Sequence, residues 1–245
     1  MLNIIDKALL KASKYLPFSH QRKWRIGIRD EVAFWDGYIG KNYVLVNGVP
    51  ASAEGRERSD PARPLQPEFV ELIEHIPDHD LRILDVGSGP FSRMGRAMAG
   101  RRIELTAVDP LAEEYATICR KHGVSPPETV QLCQRERVAE RFPRDHFHLV
   151  HANNCLDHSY DPVRAIDSML EVLRPGCHMY LRHQVNVADS AGWVGLHQWN
   201  FRMEDGRFMI TDRNSAVDMV EHLKGRATVR THRDKLFMVN VIRKH

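Results

Sequence analysis

The sequence predicts an α/β protein with a doubly wound, Rossmann-like sheet that is mostly parallel, ends in an antiparallel strand pair and carries an N-terminal helical extension. From Leu65 onward, helix-like and strand-like segments alternate, which is typical of a parallel sheet covered by helices. A glycine turn follows the first of these strands, and the last two β-type segments are joined by a short turn. With 245 residues and 42% hydrophobic content, the chain can bury one sizeable core.

The first segment, residues 1–50, is predicted to be a helical extension that packs against the domain or covers a site as a lid. "MLNIIDKALLKASKYL" has apolar residues every three or four positions. "RIGIRDEVAFWDGYI" repeats this spacing with Ile28, Val32, Trp35 and Ile39. An apolar stripe of this kind usually faces a core, and a membrane or partner surface is the alternative.

The remaining chain divides into a linker or exposed loop at residues 51–64, which lack periodicity, and a domain at residues 65–245. The domain's helical patterns are "PEFVELIEHI", "FSRMGRAMAG", "LAEEYATICRKHG" and "DPVRAIDSMLEVLRPG". Its strand patterns are "LRILDVG", "RIELTAVDP", "FHLVHANN" and "CHMYLRHQV". The tail predicts a hairpin at "FRMEDGRFMIT", a short helix at "SAVDMVEHLKG", and a closing antiparallel pair formed by "ATVRTH" and "KLFMVNVIRK".

Composition excludes several classes of protein. The net charge is +3, and basic residues are interleaved with acids, so nothing in the charge pattern calls for a nucleic-acid partner. The four cysteines are too widely spaced for a CxxC site and are expected to be reduced thiols in the cytoplasm. No apolar run approaches the roughly 18 residues of a membrane-spanning helix, so we expect a soluble protein without a membrane span.

A glycine turn flanked by two acids is the strongest functional signal. In "LRILDVGSGP", Gly87, Ser88 and Gly89 let the backbone turn sharply beside a ligand, and a following helix would point its N-terminus at that ligand. Asp85 lies on the strand, and Asp109 ends the next strand about 20 residues past the glycines, where a carboxylate can accept both ribose hydroxyls. The dinucleotide-binding motif G-x-G-x-x-G ends in a small third residue, which this turn lacks, and Asp85 would repel a phosphate. We therefore expect a ribose-containing ligand with a cationic part rather than a dinucleotide.

Taken in order, these motifs resemble those of the class I S-adenosylmethionine-dependent methyltransferases, in particular the small-molecule group. "LDVGSGP", "AVDP", "FHLVHANNCLDHSYDP" and "MLEVLRPGC" carry the likeness over residues 65–185, and the closing pair is similar to the last strands of that family's sheet. The resemblance implies S-adenosylmethionine as cofactor, with the glycine turn around its methionine part. It also implies that Asp85 assists at the amino group and that Asp109 holds the ribose.

The adenine contact departs from the family's pattern. The family commonly has an acid after the third strand, where the alignment places Val138, and Glu136 is the nearest acid. Glu136 is therefore our candidate for this contact. Asn154 and Asp157, in the loop after "FHLVHANN", are candidates for binding the cofactor or the substrate, whereas the "DP" at 161–162 predicts the start of a helix.

Three histidines are candidates for removing a proton from an acceptor hydroxyl, because imidazole titrates near neutral pH. His158 lies in the loop that faces the methyl group in the family, His183 ends the fifth strand, and His197 lies in "GLHQWNF". For each one, a hydrogen bond within the loop or the core is the alternative. The spacing of Asp157, His158 and Asp161 permits a metal, but capping and loop roles account for the same residues, so we expect no metal.

The prediction is a methyltransferase that transfers a methyl group to a hydroxyl of a small molecule or sugar, with polysaccharide or glycolipid sugars as first candidates. Aromatic residues are candidates for an apolar wall around the acceptor: Trp35, Trp193, Trp199 and Tyr160. An N-methyltransferase, an RNA methyltransferase using the arginines of 93–102, a non-catalytic cofactor-binding protein and a nicotinamide-dependent oxidoreductase remain alternatives. The sequence leaves the oligomeric state open.

Overall fold

The computed structural model describes residues 19–245. The first predicted helix lies outside these residues, whereas the second forms as predicted. This helix, α1, spans His20–Asn42 and begins at Ser19, whose hydroxyl accepts a hydrogen bond from the Arg22 amide. The other described α-helices are α2 (Ala53–Ser59), α3 (Pro67–Ile73), α4 (Ala112–His122), α5 (Val138–Arg141), α6 (Pro162–Val172), α7 (Val187–Ser190) and α8 (Met219–His222).

The strands form one large sheet and two small antiparallel sheets. The large sheet contains β3 (Asp80–Val86), β4 (Ala97–Met98), β5 (Arg101–Asp109), β6 (Gln131–Leu132), β7 (Phe147–Asn153), β8 (Leu173–Gln184), β12 (Ala227–Asp234) and β13 (Phe237–Lys244). The small sheets contain β1 (Leu45–Val46) with β2 (Val49–Pro50), and β9 (Asn200–Glu204) with β10 (Arg207–Thr211) and β11 (Ala216–Asp218).

The predicted fold class is confirmed by the strand order. Parallel pairing joins β6, β5, β3, β7 and β8 in this order. At the far edge β13 pairs antiparallel with β8, and β12 pairs antiparallel with β13, as the two closing segments predicted. The residues of β3 and β7 are buried almost without interruption, because strands in the middle of a parallel sheet are covered on both faces. The carboxyl ends of β3, β5 and β7 therefore meet at one edge, where this fold class binds ligands.

The helix predicted at "FSRMGRAMAG" does not form, and this prediction was wrong. Residues 91–96 are irregular, and Ala97 and Met98 pair with the start of β5 instead. Gly95 packs so tightly on Pro64 that an added Cβ would collide with the Pro64 carbonyl. The amides of Arg96 and Ala97 both donate to the Arg63 carbonyl. These contacts with the preceding segment use the backbone groups that a helix would need, so tertiary packing overrides the local helical pattern.

The segment 51–64 also differs from the linker or exposed loop that its composition predicts. Helix α2 forms within it, starting at Ser52, whose hydroxyl accepts a hydrogen bond from Gly55. The side chain of Arg58 on this helix is buried and reaches the glycine turn. Composition could not reveal this helix because its stabilising contacts are made with residues about 30 positions away.

The tail follows its prediction in most respects. The turn at Asp205 and Gly206, both with positive φ, joins β9 and β10 into the expected hairpin. The predicted short helix is reduced to α8, because residues 216–218 pair with β10 as a third strand. All four cysteines are buried and free, which agrees with the expectation of reduced thiols. Among residues 19–245, no helix combines the length and the apolar character needed to cross a membrane.

Candidate active site

A cavity of about 480 Å³ lies at the carboxyl ends of β3, β5 and β7. The cavity is lined by the glycine turn, by the loop after β7, by α1 and by single residues of other segments. Of the residues that the sequence singled out for the site, Asp85, Gly87, Ser88, Gly89, Asp109, Asn154, Asp157, His158 and His197 line this cavity. The volume lies in the range of small-molecule and cofactor sites, about 300–1,000 Å³.

The glycine turn needs glycine at both positions. Gly87 and Gly89 have φ values of 68° and 65°, in the left-handed region that side chains disfavour. A Cβ on Gly87 would lie 2.6 Å from the Cys155 sulfur, and one on Gly89 would lie 2.9 Å from the Trp35 ring. The amides of Gly87 and Ser88 both donate to the Val108 carbonyl, which attaches the turn to β5.

Asp85 lies beneath this turn with both carboxylate oxygens engaged. His151 on β7 lies 2.7 Å from one oxygen, and the Ser92 hydroxyl donates to the other at 2.6 Å. The residue is 2% exposed. Burial of a carboxylate costs free energy unless the group is hydrogen bonded, so these two partners stabilise Asp85. They also connect β3 to β7 on one side of the turn and to the segment after the turn on the other.

Asp109 ends β5 and binds the turn from the opposite side. One of its oxygens accepts a hydrogen bond from the Gly89 amide at 3.2 Å, and the other accepts one from the Leu111 amide at 3.0 Å. Burial raises the pKa of this carboxyl group, while the Arg135 guanidinium, 3.9 Å away, opposes the rise. Each carboxylate oxygen keeps a further lone pair that can accept a hydroxyl.

Arg58 on α2 supports the turn from outside and was missed by the sequence analysis. Its guanidinium donates to the carbonyls of Phe91 and Ser88, and it pairs with Glu54 at 3.0 Å. The residue is 3% exposed. No local signal could have found it, since it lies in a segment whose composition predicts a loop.

Glu136 does not line the cavity; its neighbour Arg135 does. The two residues lie on a 3₁₀-helical turn at Arg135–Arg137. A Glu136 oxygen accepts the amides of Tyr160 at 2.9 Å and Asp161 at 3.3 Å, and this side chain therefore holds the loop that leads into α6. The buried Arg135 thus faces the cavity and Glu136 faces the loop, while the adenine contact of Glu136 stays a prediction.

Helix α1 forms the outer wall of the cavity. Its predicted stripe, which includes Ile28, Val32 and Ile39, packs with the residues of α4 in a small separate core. From the adjacent face of the helix, Glu31 and Trp35 point at the cavity, and the Trp35 indole donates to Glu31 at 2.9 Å. The helix is thus a packed wall whose inner face carries site residues.

The loop after β7 brings Asn153, Asn154 and Cys155 to the cavity. Asn154 has a φ of 47°, and its side-chain oxygen accepts the Gln184 amide at 3.0 Å. Its side chain therefore joins the ends of β7 and β8 as well as lining the site. Burial raises the pKa of the Cys155 thiol to about 12, so this sulfur stays protonated and acts as a packing group beside Gly87.

Asp157, His158 and His197 form a cluster, which we call the junction cluster. The side chain of Asp157 is 6% exposed, and a single oxygen, Oδ2, lies 2.8 Å from His197 Nδ1 and 3.3 Å from His158 Nε2. Burial alone would raise the pKa of Asp157, but the two imidazoles lower it below its usual range. Burial alone would lower the pKa of His197, but the hydrogen bond to Asp157 raises it above its usual value.

His197 reaches this cluster from 40 residues away along the chain. The Trp199 indole donates to the Ser159 carbonyl at 2.9 Å, which attaches the loop before β9 to the loop after β7. Gly27 of α1 contacts the same loop so closely that a Cβ there would lie 2.9 Å from Leu196. These contacts place His197 beside Asp157, and the sequence contains no local signal for the pairing.

His183 does not line the cavity, so the structure corrects its assignment as a candidate base. The ring is 1% exposed, stacks on Phe201 at 4.7 Å, and accepts the Leu156 amide at Nε2. Burial lowers the pKa of His183 to about 3, which keeps the ring neutral. Its place is inside the core, supporting the loop that carries the junction cluster.

The other aromatic candidates lie mostly away from the cavity. Trp35 lines it, whereas Trp199 is buried against His20, Tyr160 contacts Trp24, and Trp193 lies beneath Arg213. The predicted aromatic wall is therefore reduced to Trp35, joined by Phe34 and Tyr38 of the same helix.

The arginines considered for RNA binding have partners within the chain. Arg96 forms a nearly buried ion pair with Glu128 at 2.5 Å. Arg101 donates to the carbonyls of Ile76 and Asp78. Arg93 pairs with Glu54 of α2, and Arg102 pairs with Asp80 of β3 and with Glu104 of its own strand. These guanidinium groups join segments of the fold, which accounts for them without nucleic acid.

A second pocket, of about 350 Å³, adjoins the cavity. Four residues line both spaces: Glu31, Phe34, His158 and His197. The rest of the second pocket is formed by one acid on α1 and by small or apolar residues: Gly27, Asp30, Ala191, Val194, Gly195 and Leu196. The histidines of the junction cluster thus lie where two adjacent binding spaces meet.

The methyltransferase domain family matches residues 56–233 of this chain. The chain belongs to the methyltransferase family. Membership confirms the reaction class that the motifs implied, and S-adenosylmethionine is the cofactor. Uncharacterized methyltransferases of Mycobacterium bovis and Mycobacterium tuberculosis are 31% identical over 147 residues, 56% of this chain and 52% of their own length. The chain therefore spans about half the length of these curated relatives.

Solved methyltransferase structures resemble the chain more distantly. A S-adenosylmethionine-dependent methyltransferase from Methanosarcina mazei is 18% identical, with a TM-score of 0.44 over 73% of this chain and 96% of that one. The CurJ carbon methyltransferase is 14% identical, with a TM-score of 0.49 over 72% of this chain and 52% of that one.

The first cavity fits S-adenosylmethionine on the chemistry of its walls. Gly87 and Gly89 expose their backbone to the cavity, and the carboxylates of Asp85 and Asp109 create a negative potential that suits a sulfonium and an amino group. Asp109 is placed to accept hydroxyls, as the resemblance implies for the ribose. Arg135 adds a cation that suits the cofactor's carboxylate or the ring nitrogens of its adenine.

We predict that Asp109→Asn weakens the binding of S-adenosylmethionine by about 10- to 100-fold, because a hydrogen bond to a charged group contributes about 1.5–3 kcal/mol. Calorimetric titration of the cofactor measures this. Asp205→Asn is the matched control, since Asp205 lies in the exposed hairpin turn with a φ of 47° that asparagine tolerates. Equal affinities of the wild type and Asp109→Asn would show that this carboxylate does not hold the cofactor.

We predict that Arg58→Met lowers the free energy of unfolding by about 1–3 kcal/mol, because the change leaves buried carbonyls of the glycine turn without a donor. Cofactor affinity should fall as well, since the turn loses its outer support. Arg56→Met is the control, because Arg56 lies on the same helix and donates only across the surface, to Pro50. Thermal melting and cofactor titration compare the two, and equal behaviour of both variants would contradict a role for Arg58.

Proposed function

We propose that this protein transfers a methyl group from S-adenosylmethionine to the hydroxyl oxygen of a small molecule held in the second pocket. The observation that supports this most is the position of the junction cluster. Its two imidazoles line both the cofactor cavity and the adjoining pocket, and a buried carboxylate holds one of them at 2.8 Å. A proton acceptor at this position serves a hydroxyl nucleophile, whose attack requires loss of a proton.

Each part of the site has its own role in this reaction. The glycine turn and Asp109 hold the cofactor, which supplies an activated methyl group when it is bound. The second pocket orients the acceptor so that its hydroxyl lies between His158 and His197. The junction cluster takes the hydroxyl proton, and the carboxylate of Asp157 stabilises the positive charge that an imidazole then gains. Helix α1 separates the reacting groups from bulk water.

The second pocket favours a compact, uncharged or cationic acceptor with an apolar side. Phe34 is 56% exposed beside the pocket, and Val194 and Leu196 continue this apolar surface. The charged groups in its wall are the acids Asp30 and Glu31, with no lysine or arginine among the lining residues of the described chain. An acceptor with a phosphate would be repelled here. These features support a sugar or a small hydroxylated ring over a nucleic acid.

We predict that His197→Gln lowers kcat for a hydroxyl acceptor by about 10²- to 10⁴-fold, the range typical of losing a positioned proton acceptor. Affinity for S-adenosylmethionine should stay within about twofold, because His197 lies on the acceptor side of the cavity. The assay uses cofactor labelled with ¹³C in the methyl group and a panel of free sugars, glycosides and hydroxylated aromatic compounds. NMR of the product then reports which atom is methylated.

His222→Gln is the matched control for this assay. His222 forms a similar imidazole–carboxylate pair with Asp167 at 2.9 Å, but this pair is remote from both pockets. We expect its kcat to equal that of the wild type. Methylation of nitrogen or carbon, with kcat unaffected by His197→Gln, would overturn the proposed hydroxyl chemistry and leave an N- or C-methyltransferase.

A further inference from the structure

We propose that the junction cluster is a binding site for a divalent transition-metal ion, with Asp157 Oδ2, His158 Nε2 and His197 Nδ1 as its protein ligands. This inference rests on the proposed function, because a metal at this position would act on the acceptor hydroxyl. In the sequence, the spacing of Asp157, His158 and Asp161 permits a metal, but capping and loop roles account for these residues and no metal is expected. In the structure Asp161 caps α6, accepting the Arg164 amide, and His197 takes the third place instead.

The separations between the three ligand atoms suit coordination. Oδ2 of Asp157 lies 2.8 Å from one ring nitrogen and 3.3 Å from the other, and all three atoms lie within 4.8 Å of one another. Ligands at about 2.0–2.2 Å from a zinc ion stand roughly 3.0–3.5 Å apart, so small rotations of the two rings would admit the ion. Two histidines with one carboxylate form a set used by zinc and by non-haem iron, with positions left open for substrate.

A second carboxylate supports this reading independently. Oε2 of Glu31 lies 3.7 Å from Nδ1 of His158, the ring nitrogen that faces away from the cluster. Histidines that bind metals usually donate this second N–H to a carboxylate, which orients the ring and increases its basicity. At 3.7 Å the two groups are in ion-pair contact without a hydrogen bond, so a small movement of either side chain would be needed to form one. Glu31 is itself held by the Trp35 indole. His158 thus lies between a carboxylate in the cluster and a carboxylate on α1.

The open side of the cluster has room for a substrate oxygen. Both histidines are partly exposed, and each faces the cofactor cavity and the second pocket. A hydroxyl bound to the ion at an open position would have a lowered pKa, as water bound to zinc does. With the ion bound, both imidazoles are ligands, so the hydroxyl proton would leave to water at the mouth of the second pocket and not to the junction cluster, which takes it when no ion is bound. The ion would also fix the acceptor oxygen at the boundary with the cofactor cavity.

The test is a calorimetric titration of Zn²⁺ into the full chain after chelator treatment and dialysis, without cofactor or acceptor. We expect one ion per chain in the wild type at this site. Glu31→Gln should weaken binding by about 10- to 100-fold, the usual effect of losing a carboxylate that supports a ligand. Asp157→Asn and His197→Gln should weaken it further, while His222→Gln should bind as the wild type does. Melting curves establish that each variant is folded.

Titration with Co²⁺ adds a spectroscopic measurement, because its visible absorption reports the ligand set directly. We expect absorption bands in the wild type and in His222→Gln that are lost in Asp157→Asn and His197→Gln. Absence of Zn²⁺ and Co²⁺ binding in the wild type, or binding that survives both ligand substitutions, would overturn the metal site. Hydroxyl methylation would stand in that case, with the Asp157–His197 pair as the proton acceptor. Metal binding together with methylation of nitrogen or carbon would instead overturn the proposed function alone.

Discussion

The site depends first on the buried carboxylate of Asp85. This residue is 2% exposed and lies at the carboxyl end of the central strand, with its side chain bonded to His151 on β7 and to Ser92 after the glycine turn. A buried charge is destabilising unless it is fully hydrogen bonded, so these partners cannot move without a large cost. Ser92 in turn accepts the Met94 amide, which shapes the irregular segment that replaces the predicted helix. The turn is therefore held by side chains and by its backbone bonds to β5, and not by the N-terminus of a following helix.

Three buried carboxylates divide the site into regions of different chemistry. Asp85 is bonded to an imidazole and a hydroxyl, Asp109 to backbone amides, and Asp157 to two imidazoles. Burial raises the pKa of Asp109, whereas the histidines lower that of Asp157. The side of the cavity next to the glycine turn thus offers acceptors for hydroxyl and amino groups, and the side next to the junction cluster offers imidazole nitrogens held by an ionised carboxylate. The three aspartates therefore differ in their chemical roles because their hydrogen-bond partners differ.

The family match identifies the reaction class, whereas the structure shows which residues form the cavity wall. The match covers residues 56–233, which include the glycine turn, Asp109 and the junction cluster. Helix α1 lies outside it, yet contributes Glu31, Phe34 and Trp35 to the cavity wall. The reaction class is therefore carried by the matched region, and part of the cavity wall comes from a segment that lies outside the match. Acceptor choice is expected to depend on both, because the second pocket is formed where they meet.

Local sequence determined the alternation of strands and helices, the hairpin, the closing pair, and the glycine turn with Asp85 and Asp109. These features follow from apolar periodicity and backbone conformation, which act over a few residues. Tertiary structure alone decided that residues 91–96 are not helical, that α2 supports the turn through Arg58, and that Arg135 rather than Glu136 faces the cavity. It also removed His183 from the site and brought His197 to Asp157. Each of these outcomes depends on contacts between distant segments, whose free energy exceeds the weak local preferences that a sequence pattern records.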